Sequence, residues 1–301
     1  MRGNTGMRFL SLALVLVSCI GATYSPPAPP QRPIVILVHG RGQLGQDTSA
    51  LRREWKRDLD SSLTLVGMPH LADADVRLAW YADVLDPESD GSCIARDTSD
   101  DSLSFGDVAR GFLGFLASAV PADDAHEVRG LMSDLLYVLD PSKQCAAERR
   151  VGEVIEAASR ENRPVIVVAY SLGSLVTYGY LKSRPPPTDP KGFSNLRLVT
   201  LGSPLGVRAI REMIFGESGD TLRIPPSVAG WENVYDPNDF FSAPLEGVLY
   251  PRSVHDRPTH ATEREDPHNL GRYLRDRATG AAITRAMCES TRVDSAACLK
   301  S

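Results

Sequence analysis

The sequence of 301 residues lacks several patterns that mark common functional classes. It has no long block of basic residues, and its formal net charge of −5 gives no reason to expect nucleic acid as a partner. It has no Cys-x-x-Cys pair, so the cysteine spacing does not indicate a zinc site. It also has no internal repeat. What it does have is 42% hydrophobic residues, enough to bury one substantial core.

The first thirty residues have the composition of an export leader followed by a linker. Arg2 and Arg8 supply positive charge, and the apolar run at 9–17 is too short to span a bilayer comfortably. A proline-rich stretch follows this run almost at once, which disfavours an ordinary buried helix. We therefore expect residues 1–30 to be leader and linker, and residues 31–301 to form a single domain.

The cysteines also fit an exported protein, whether periplasmic, attached to an outer membrane or secreted. Leu-Val-Ser-Cys at 16–19 resembles the bacterial lipobox, so membrane association through a lipid-modified Cys19 and plain secretion are open alternatives. The other four of the five cysteines form an even set, which favours disulfides in an exported chain. Among three pairings, one joins Cys93 to Cys145 and Cys288 to Cys298; free thiols are the alternative.

The most informative stretch of the sequence is 164–180. Residues 165–169 form a short apolar and β-branched run, typical of a strand buried on both faces, and helical spacing begins at Leu172. Ser171 lies at the junction. A serine on such a turn points its hydroxyl outward, and the backbone N–H of Leu172 points to where an oxyanion would form. We interpret Ser171 as a candidate nucleophile, with a simple helix N-cap as the alternative.

The rest of the chain alternates between strand and helix patterns. This alternation predicts an α/β fold, a mostly parallel central sheet with helices on both faces. The predicted strands are 33–38, 76–80, 165–169, 195–201 and 231–235, and the predicted helices include 47–66, 145–160 and 281–287. Residues 90–142 form a helical insertion, and a cap over the site and an extra helical pair beside the sheet are equal alternatives.

Three histidines downstream of Ser171 are candidates for a base. His268 comes just before apolar residues with the spacing of a packed helix, which would hold the imidazole firmly. His255 and His260 lie among proline, arginine and aspartate, a composition typical of a surface loop. We therefore prefer His268, with His260 next.

Four aspartates are candidates for the acid that orients such a base. Asp236 and Asp239 follow the strand that ends near residue 235, although turn formation around a proline would also explain them. Asp83 and Asp86 follow an earlier strand and precede Ser171, so we keep them as reserve candidates.

The Ala-Tyr-Ser-Leu-Gly motif around Ser171 resembles the nucleophile elbow of the α/β-hydrolase family, with Ala169 in place of the first glycine. The chain order of serine, aspartate and histidine also matches that family. In similar hydrolases a strand of the form Trp-x-Asn-x-Tyr-Asp is followed by a second aspartate that faces the histidine. The resemblance therefore implies Asp239 rather than Asp236 as the acid.

The same resemblance assigns a task to the loop after the first strand. This strand ends in His39-Gly40, and in α/β-hydrolases a strand ending in His-Gly leads into the loop that supplies the other oxyanion donor. The resemblance therefore implies that the backbone N–H groups of Arg41 and Leu172 hold the oxyanion. His39 is expected to pack beneath the loop.

Together these residues imply an exported serine hydrolase, an esterase or lipase-like enzyme that cleaves a small-molecule or lipid ester. Ser171 would be the nucleophile, His268 the base and Asp239 the acid, without a metal or organic cofactor. The same triad also fits a thioesterase, an amidase or an acyltransferase, because it does not specify the leaving group. A non-catalytic surface protein that uses this fold to bind a partner is an alternative from another class.

Overall fold

A computed structural model describes residues 32–86, 88–89, 93, 137, 140–184, 196–208, 210–211, 222–250, 254–261 and 266–291. The predicted leader and linker at 1–30 and nearly all of the insertion at 90–142 lie outside these residues. All of the described residues belong to one compact unit, Gln31–Ser301. None of the described helices is long and apolar enough to cross a bilayer.

The described strands form one large sheet and one small one. In chain order they are β1 Ile34–Val38, β2 Val76–Ala79, β3 Val165–Tyr170, β4 Leu196–Leu201, β5 Leu222–Arg223, β6 Val228–Tyr235, β7 Leu249–Tyr250 and β8 Val254–Pro258. The large sheet has the order β2-β1-β3-β4-β6-β8, and every neighbouring pair in it is parallel. The small sheet pairs β5 with β7.

Helices cover both faces of the large sheet. They are α1 Thr48–Leu65, α2 Pro141–Ser159, α3 Leu172–Lys182, α4 Leu270–Arg275 and α5 Arg277–Thr291. Successive side chains of a strand point to opposite faces, so Ile36 of β1 enters the core under α2 and α3, while Leu37 enters the core under α1, α4 and α5. The predicted α/β class with a parallel central sheet is confirmed.

Helix α1 buries the residues that the periodicity of its sequence predicts. The Asp47 carboxylate accepts hydrogen bonds from the first N–H groups of the helix and so fixes its start. Trp55, Leu59 and Leu63 recur at intervals of four and are all buried. The helix therefore presents one apolar stripe to the sheet, as the interval predicted.

Two predictions near the C-terminal end of the chain were wrong. The composition around His255 predicts a surface loop, but this histidine lies on β8, which is the edge strand next to β6 among the described strands. An edge strand pairs on one side only and carries polar side chains, so its sequence looks like a loop. The closing helix was expected to stop at Met287, but α5 continues to Thr291 and includes Cys288.

One predicted disulfide lies within the described residues. Cys93 is bonded to Cys145 near the start of α2, as one of the predicted pairings has it. Cys288 is disulfide-bonded as well, and its partner lies outside the described residues. The Cys93–Cys145 bond closes a loop that contains most of the insertion, and such a cross-link restricts the unfolded chain.

The packing of α1 gives a stability prediction with a matched control on the same helix. Leu59 is 0% exposed and Leu65 is 52% exposed. We expect Leu59→Ala to lower the free energy of unfolding by about 2–5 kcal/mol, because it removes buried methyl groups and leaves a cavity. Leu65→Ala should change it by no more than about 0.5 kcal/mol. Urea denaturation of both variants measures the difference, and equal losses would contradict the packing described for α1.

Candidate active site

Ser171 occupies a turn between β3 and α3 whose backbone is strained. Its φ of 50° and ψ of −124° lie in a region that residues other than glycine rarely adopt. Its N–H donates to the carbonyl of Leu201 on the neighbouring strand at 3.0 Å. Its carbonyl accepts from Ser174 twice, from the N–H at 2.9 Å and from the hydroxyl at 2.6 Å. These bonds hold the turn in place.

Two glycines let the loop after β1 approach this turn closely. A Cβ atom on Gly173 would lie only 2.3 Å from the carbonyl oxygen of His39. A Cβ atom on Gly40 would lie 3.1 Å from the Cβ of Ser171 and 2.8 Å from the ring of Tyr170. Neither position therefore has room for a side chain. The strand β1 and its exit loop lie directly against the start of α3.

This contact brings the loop that carries Arg41 close to the start of α3, where Leu172 lies. Arg41 follows Gly40 in the loop, and Leu172 is the first residue of α3. The N–H groups in the first turn of a helix have no acceptor within the helix. An oxyanion role for Arg41 and Leu172 stays a prediction.

His268 joins Ser171 to Asp239. Its Nε2 lies 2.8 Å from the hydroxyl oxygen of Ser171, and its Nδ1 lies 2.8 Å from Oδ2 of Asp239. An ionised carboxylate can only accept, so Nδ1 carries the proton and Nε2 is free to accept the hydroxyl proton of Ser171. The three side chains that the sequence singled out therefore form one continuous chain of hydrogen bonds.

Asp239 is buried, and three donors among the described residues hold its carboxylate. It lies on the turn that follows β6, where its Oδ1 accepts the N–H of Phe241 at 2.9 Å. Its Oδ2 accepts from His268 and also from the hydroxyl of Tyr273, at 2.8 Å in both cases. Within the described part of the chain, His268 is the one basic side chain that pairs with Asp239. The carboxylate charge is therefore stabilised mainly by hydrogen bonds.

Asp236, the other aspartate after β6, has a different set of partners. Its Oδ2 lies 3.0 Å from the guanidinium of Arg272 and accepts the N–H of Ala261, and its Oδ1 accepts the N–H of Asn238 at 2.9 Å. Arg272 also donates to the carbonyl of Pro267 at 2.6 Å, just before His268. Asp236 therefore fixes the loop that carries the histidine, whereas Asp239 contacts the histidine itself.

The reserve acids lie elsewhere. Asp83 pairs with Arg150 at 3.1 Å, and the carboxylate of Asp86 accepts the N–H of Glu88 at 2.9 Å. Over the described ranges, no hydrogen bond or ion pair joins either aspartate to His268.

The other two histidines are also separate from Ser171. His255, which was expected in a surface loop, lies on β8 with its Nε2 2.7 Å from the guanidinium of Arg285. His260 is exposed after the end of β8. Neither makes a hydrogen bond with Ser171 in the residues that the structure describes.

His39 is buried beneath the loop and uses both ring nitrogens. Nδ1 donates to the carbonyl of Gly40 at 2.6 Å, and Nε2 accepts the N–H of Tyr81 at 3.1 Å. The ring also stacks on Tyr81, with centroids 4.0 Å apart. Burial lowers the pKa of His39 to about 4, although the hydrogen bond with Gly40 acts in the opposite direction. The imidazole is therefore neutral at pH 7.

Sequence reasoning missed two tyrosines of this site. Tyr170, the residue before Ser171, donates its hydroxyl to the backbone carbonyl of His268, and the two rings lie 5.2 Å apart. Tyr273 donates to Asp239, but the helical spacing around it indicated only a packing residue. Tyrosine in an apolar stripe is usually a core residue, and no local pattern predicts which group its hydroxyl will bind.

Comparisons of the chain with protein-family models, curated proteins and solved structures found no match. The geometry of the site therefore has to carry the functional assignment. The described residues contain no group of histidine, cysteine, aspartate or glutamate side chains arranged to hold a metal ion.

The burial of neutral His39 predicts a pH-dependent stability. The unfolded chain binds a proton near the ordinary histidine pKa of 6.5, whereas the folded chain does so only near pH 4. Between these two pH values the chain takes up a proton when it unfolds. Lowering the pH therefore lowers the free energy of unfolding, by up to about 3 kcal/mol from this group. Below about pH 4 the stability that neutral His39 contributes at pH 7 is fully lost.

His39→Gln keeps an acceptor for the N–H of Tyr81 and does not titrate. We expect the stability advantage of the wild type over this variant to shrink steadily between pH 7 and pH 4. Urea denaturation at several pH values measures it, and taking the difference cancels the carboxylates that titrate in the same range. An advantage that is constant over the range would show that His39 is not held neutral.

Proposed function

We propose that this protein is an exported serine hydrolase with an α/β-hydrolase fold, and that it cleaves carboxylic esters. The observation that carries the proposal is the chain of hydrogen bonds from the Ser171 hydroxyl through His268 to Asp239, with 2.8 Å at each step. A nucleophile within reach of a base, which is in turn oriented by an acid, is the arrangement that activates serine.

The position of these residues in the sheet supports the proposal. Ser171 follows the carboxyl end of β3, Asp239 follows that of β6, and Arg41 follows that of β1. Parallel strands bring their carboxyl ends to one edge of a sheet, and open α/β sheets bind ligands there. The strained turn from β3 into α3 and the chain order Ser171, Asp239, His268 are those of a nucleophile elbow and its partners.

The chemistry is acyl transfer in two steps. The hydroxyl oxygen of Ser171 attacks the carbonyl carbon of the ester while Nε2 of His268 takes the hydroxyl proton. The N–H groups of Arg41 and Leu172 stabilise the oxyanion. Nε2 then gives its proton to the departing alcohol, which leaves an acyl group on Ser171. Water then attacks the acyl carbon while the same nitrogen takes its proton. This proton passes to the oxygen of Ser171 as the bond to the acyl group breaks and the acid leaves.

An ester with an apolar body suits the surroundings of the base. The ring of Phe241 lies 5.0 Å from that of His268, and Phe240 beside it is 55% exposed. The leaving group departs on the side of the histidine that protonates it, so these rings border its path. Hydrolysis of a thioester or amide, or acyl transfer to an alcohol, would use the same triad.

The export part of the proposal is supported by the disulfide between Cys93 and Cys145, since disulfides persist in oxidising compartments. The protein is either free in such a compartment or anchored to a membrane through a lipid on Cys19.

A fluorophosphonate probe tests the nucleophile directly. The wild type should be labelled, because an activated serine displaces fluoride from the probe and becomes phosphonylated, and Ser171→Ala should not be labelled. Ser61→Ala is the control, since Ser61 is exposed on α1 and should not affect labelling. In-gel detection measures the outcome. An unlabelled wild type would favour the non-catalytic alternative, and equal labelling of Ser171→Ala would place the nucleophile elsewhere.

Substitution of the two aspartates after β6 should affect different properties of the protein. Asp239→Asn presents an amide to His268 and disturbs its tautomer, so we expect kcat to fall by about 10⁴-fold with the fold intact. Asp236→Asn weakens a buried ion pair with Arg272 and should instead lower the free energy of unfolding by about 3–5 kcal/mol. Hydrolysis of a p-nitrophenyl ester and urea denaturation measure both effects. The reverse pattern would show that Asp236 is the acid.

A further inference from the structure

The hydroxyl of Tyr273 is the polar end of a buried side chain on α4, and it lies between the two aspartates that follow β6. It is 2.8 Å from Oδ2 of Asp239, 3.1 Å from the backbone nitrogen of Asp236 and 3.3 Å from the hydroxyl oxygen of Ser242. The triad in itself uses none of these three contacts. They therefore need a separate explanation.

The direction of these bonds follows from what each neighbour can do. The N–H of Asp236 can only donate, so it donates to the tyrosine oxygen. The single hydroxyl proton of Tyr273 then has two acceptors within reach, the Asp239 carboxylate and the more distant Ser242. The carboxylate is closer and charged, and such a hydrogen bond is the stronger one. Tyr273 thus donates to Asp239.

The acceptor atom is the same one that serves the histidine. Oδ2 of Asp239 receives the Nδ1–H of His268 and the hydroxyl proton of Tyr273, both at 2.8 Å. Both donors are carried by one short segment, because His268 immediately precedes Asn269, the N-cap of α4, and Tyr273 lies within that helix. The orientation of the carboxylate is therefore fixed relative to the imidazole from two sides.

We propose that Tyr273 is a positioning residue for the base and acid of this site: its hydroxyl holds Oδ2 of Asp239 where it receives the Nδ1–H of His268, and it tempers the attraction of that carboxylate for the imidazolium. The inference rests on the proposed function. It concerns a residue that does not contact the reacting atoms and acts through Asp239.

The surroundings keep Tyr273 protonated, so it stays a donor. Burial raises its pKa well above the ordinary value, and the charge of Asp239 raises it further, against the opposing effects of Ser242 and Arg272. The guanidinium of Arg272 lies 4.5 Å from the ring centroid and is itself paired with Asp236. The ring of Tyr170 is a further titratable neighbour, with its centroid 6.2 Å from that of Tyr273.

Tyr273→Phe keeps the buried ring and removes the donor to Asp239, together with the contacts of the same oxygen to the N–H of Asp236 and to Ser242. We expect kcat to fall by about tenfold, because Oδ2 of Asp239 is no longer held where it receives the Nδ1–H of His268. KM should stay within about twofold, because Tyr273 does not touch the substrate. The acid limb of the pH–rate profile should move to higher pH, by about half a unit, since a carboxylate with one donor fewer attracts the imidazolium more strongly. Rates are expressed per labelled Ser171 so that loss of folded protein does not count.

Tyr178→Phe is the matched control. Tyr178 is also fully buried, and its hydroxyl donates to the backbone carbonyl of Arg223 at 3.0 Å, away from the triad. It should lose stability like Tyr273→Phe but keep the kcat and the pH–rate profile of the wild type. If Tyr273→Phe matches the wild type in kcat per site and in its acid limb, Tyr273 is only a packing residue and the inference is wrong.

A second measurement does not depend on turnover. The proton on Nδ1 of His268 can be followed by NMR, assigned through its loss in His268→Ala, and its resonance should shift in Tyr273→Phe because Oδ2 becomes a stronger acceptor. If Tyr273→Phe does not fold, 3-fluorotyrosine at position 273 keeps the hydroxyl as a stronger donor and should move the acid limb to lower pH. An unmoved acid limb would overturn the inference.

These readouts separate the inference from the proposed function. A wild type that the fluorophosphonate probe does not label rejects the serine hydrolase, and a shifted Nδ1–H resonance in Tyr273→Phe would still support the hold of Tyr273 on Asp239. A labelled wild type whose resonance is the same with and without the Tyr273 hydroxyl rejects the positioning role alone.

Discussion

The backbone of Ser171 is the constraint on which the rest of the site depends. A non-glycine residue at positive φ costs about 1–3 kcal/mol, and it persists only where its surroundings hold it. Here Leu201 and Ser174 bind its backbone groups, and Gly173 leaves room for the carbonyl of His39. The strain is therefore opposed by contacts from β1, β4 and α3 together, so the position of the hydroxyl is set by the core of the protein and not by a free loop.

The parallel sheet explains how residues far apart in sequence meet at this turn. Ser171 and Asp239 are 68 positions apart in the sequence, yet the loops after β3 and β6 leave the same edge of the sheet. Only the histidine does not come from the end of a strand in the large sheet; it lies just before α4, which packs on the core under α1. Tyr170 then closes the arrangement by binding the backbone of His268 from the strand that carries the serine.

The sequence predicted what depends on local order and missed what depends on distant partners. The turn at Ser171 and the stripe of α1 were predictable, because burial imposes a period on neighbouring residues. Strand β8 was not, since among the described strands it pairs with β6 alone and its polar residues suit solvent. Asp236 and Asp239 looked alike because each accepts an N–H two residues on, as aspartates in turns do. Their distant partners are what distinguish them.

Those partners divide two buried carboxylates according to the kind of charge that each one faces. Asp236 is paired with Arg272, whose guanidinium is always charged, so this pair is suited to holding the loop before His268. Asp239 faces an imidazole that in the proposed mechanism is charged only while the serine proton is on it. A guanidinium on Asp239 would neutralise the carboxylate throughout and weaken its response to that brief charge. Neutral donors such as Tyr273 stabilise the Asp239 carboxylate without cancelling its charge.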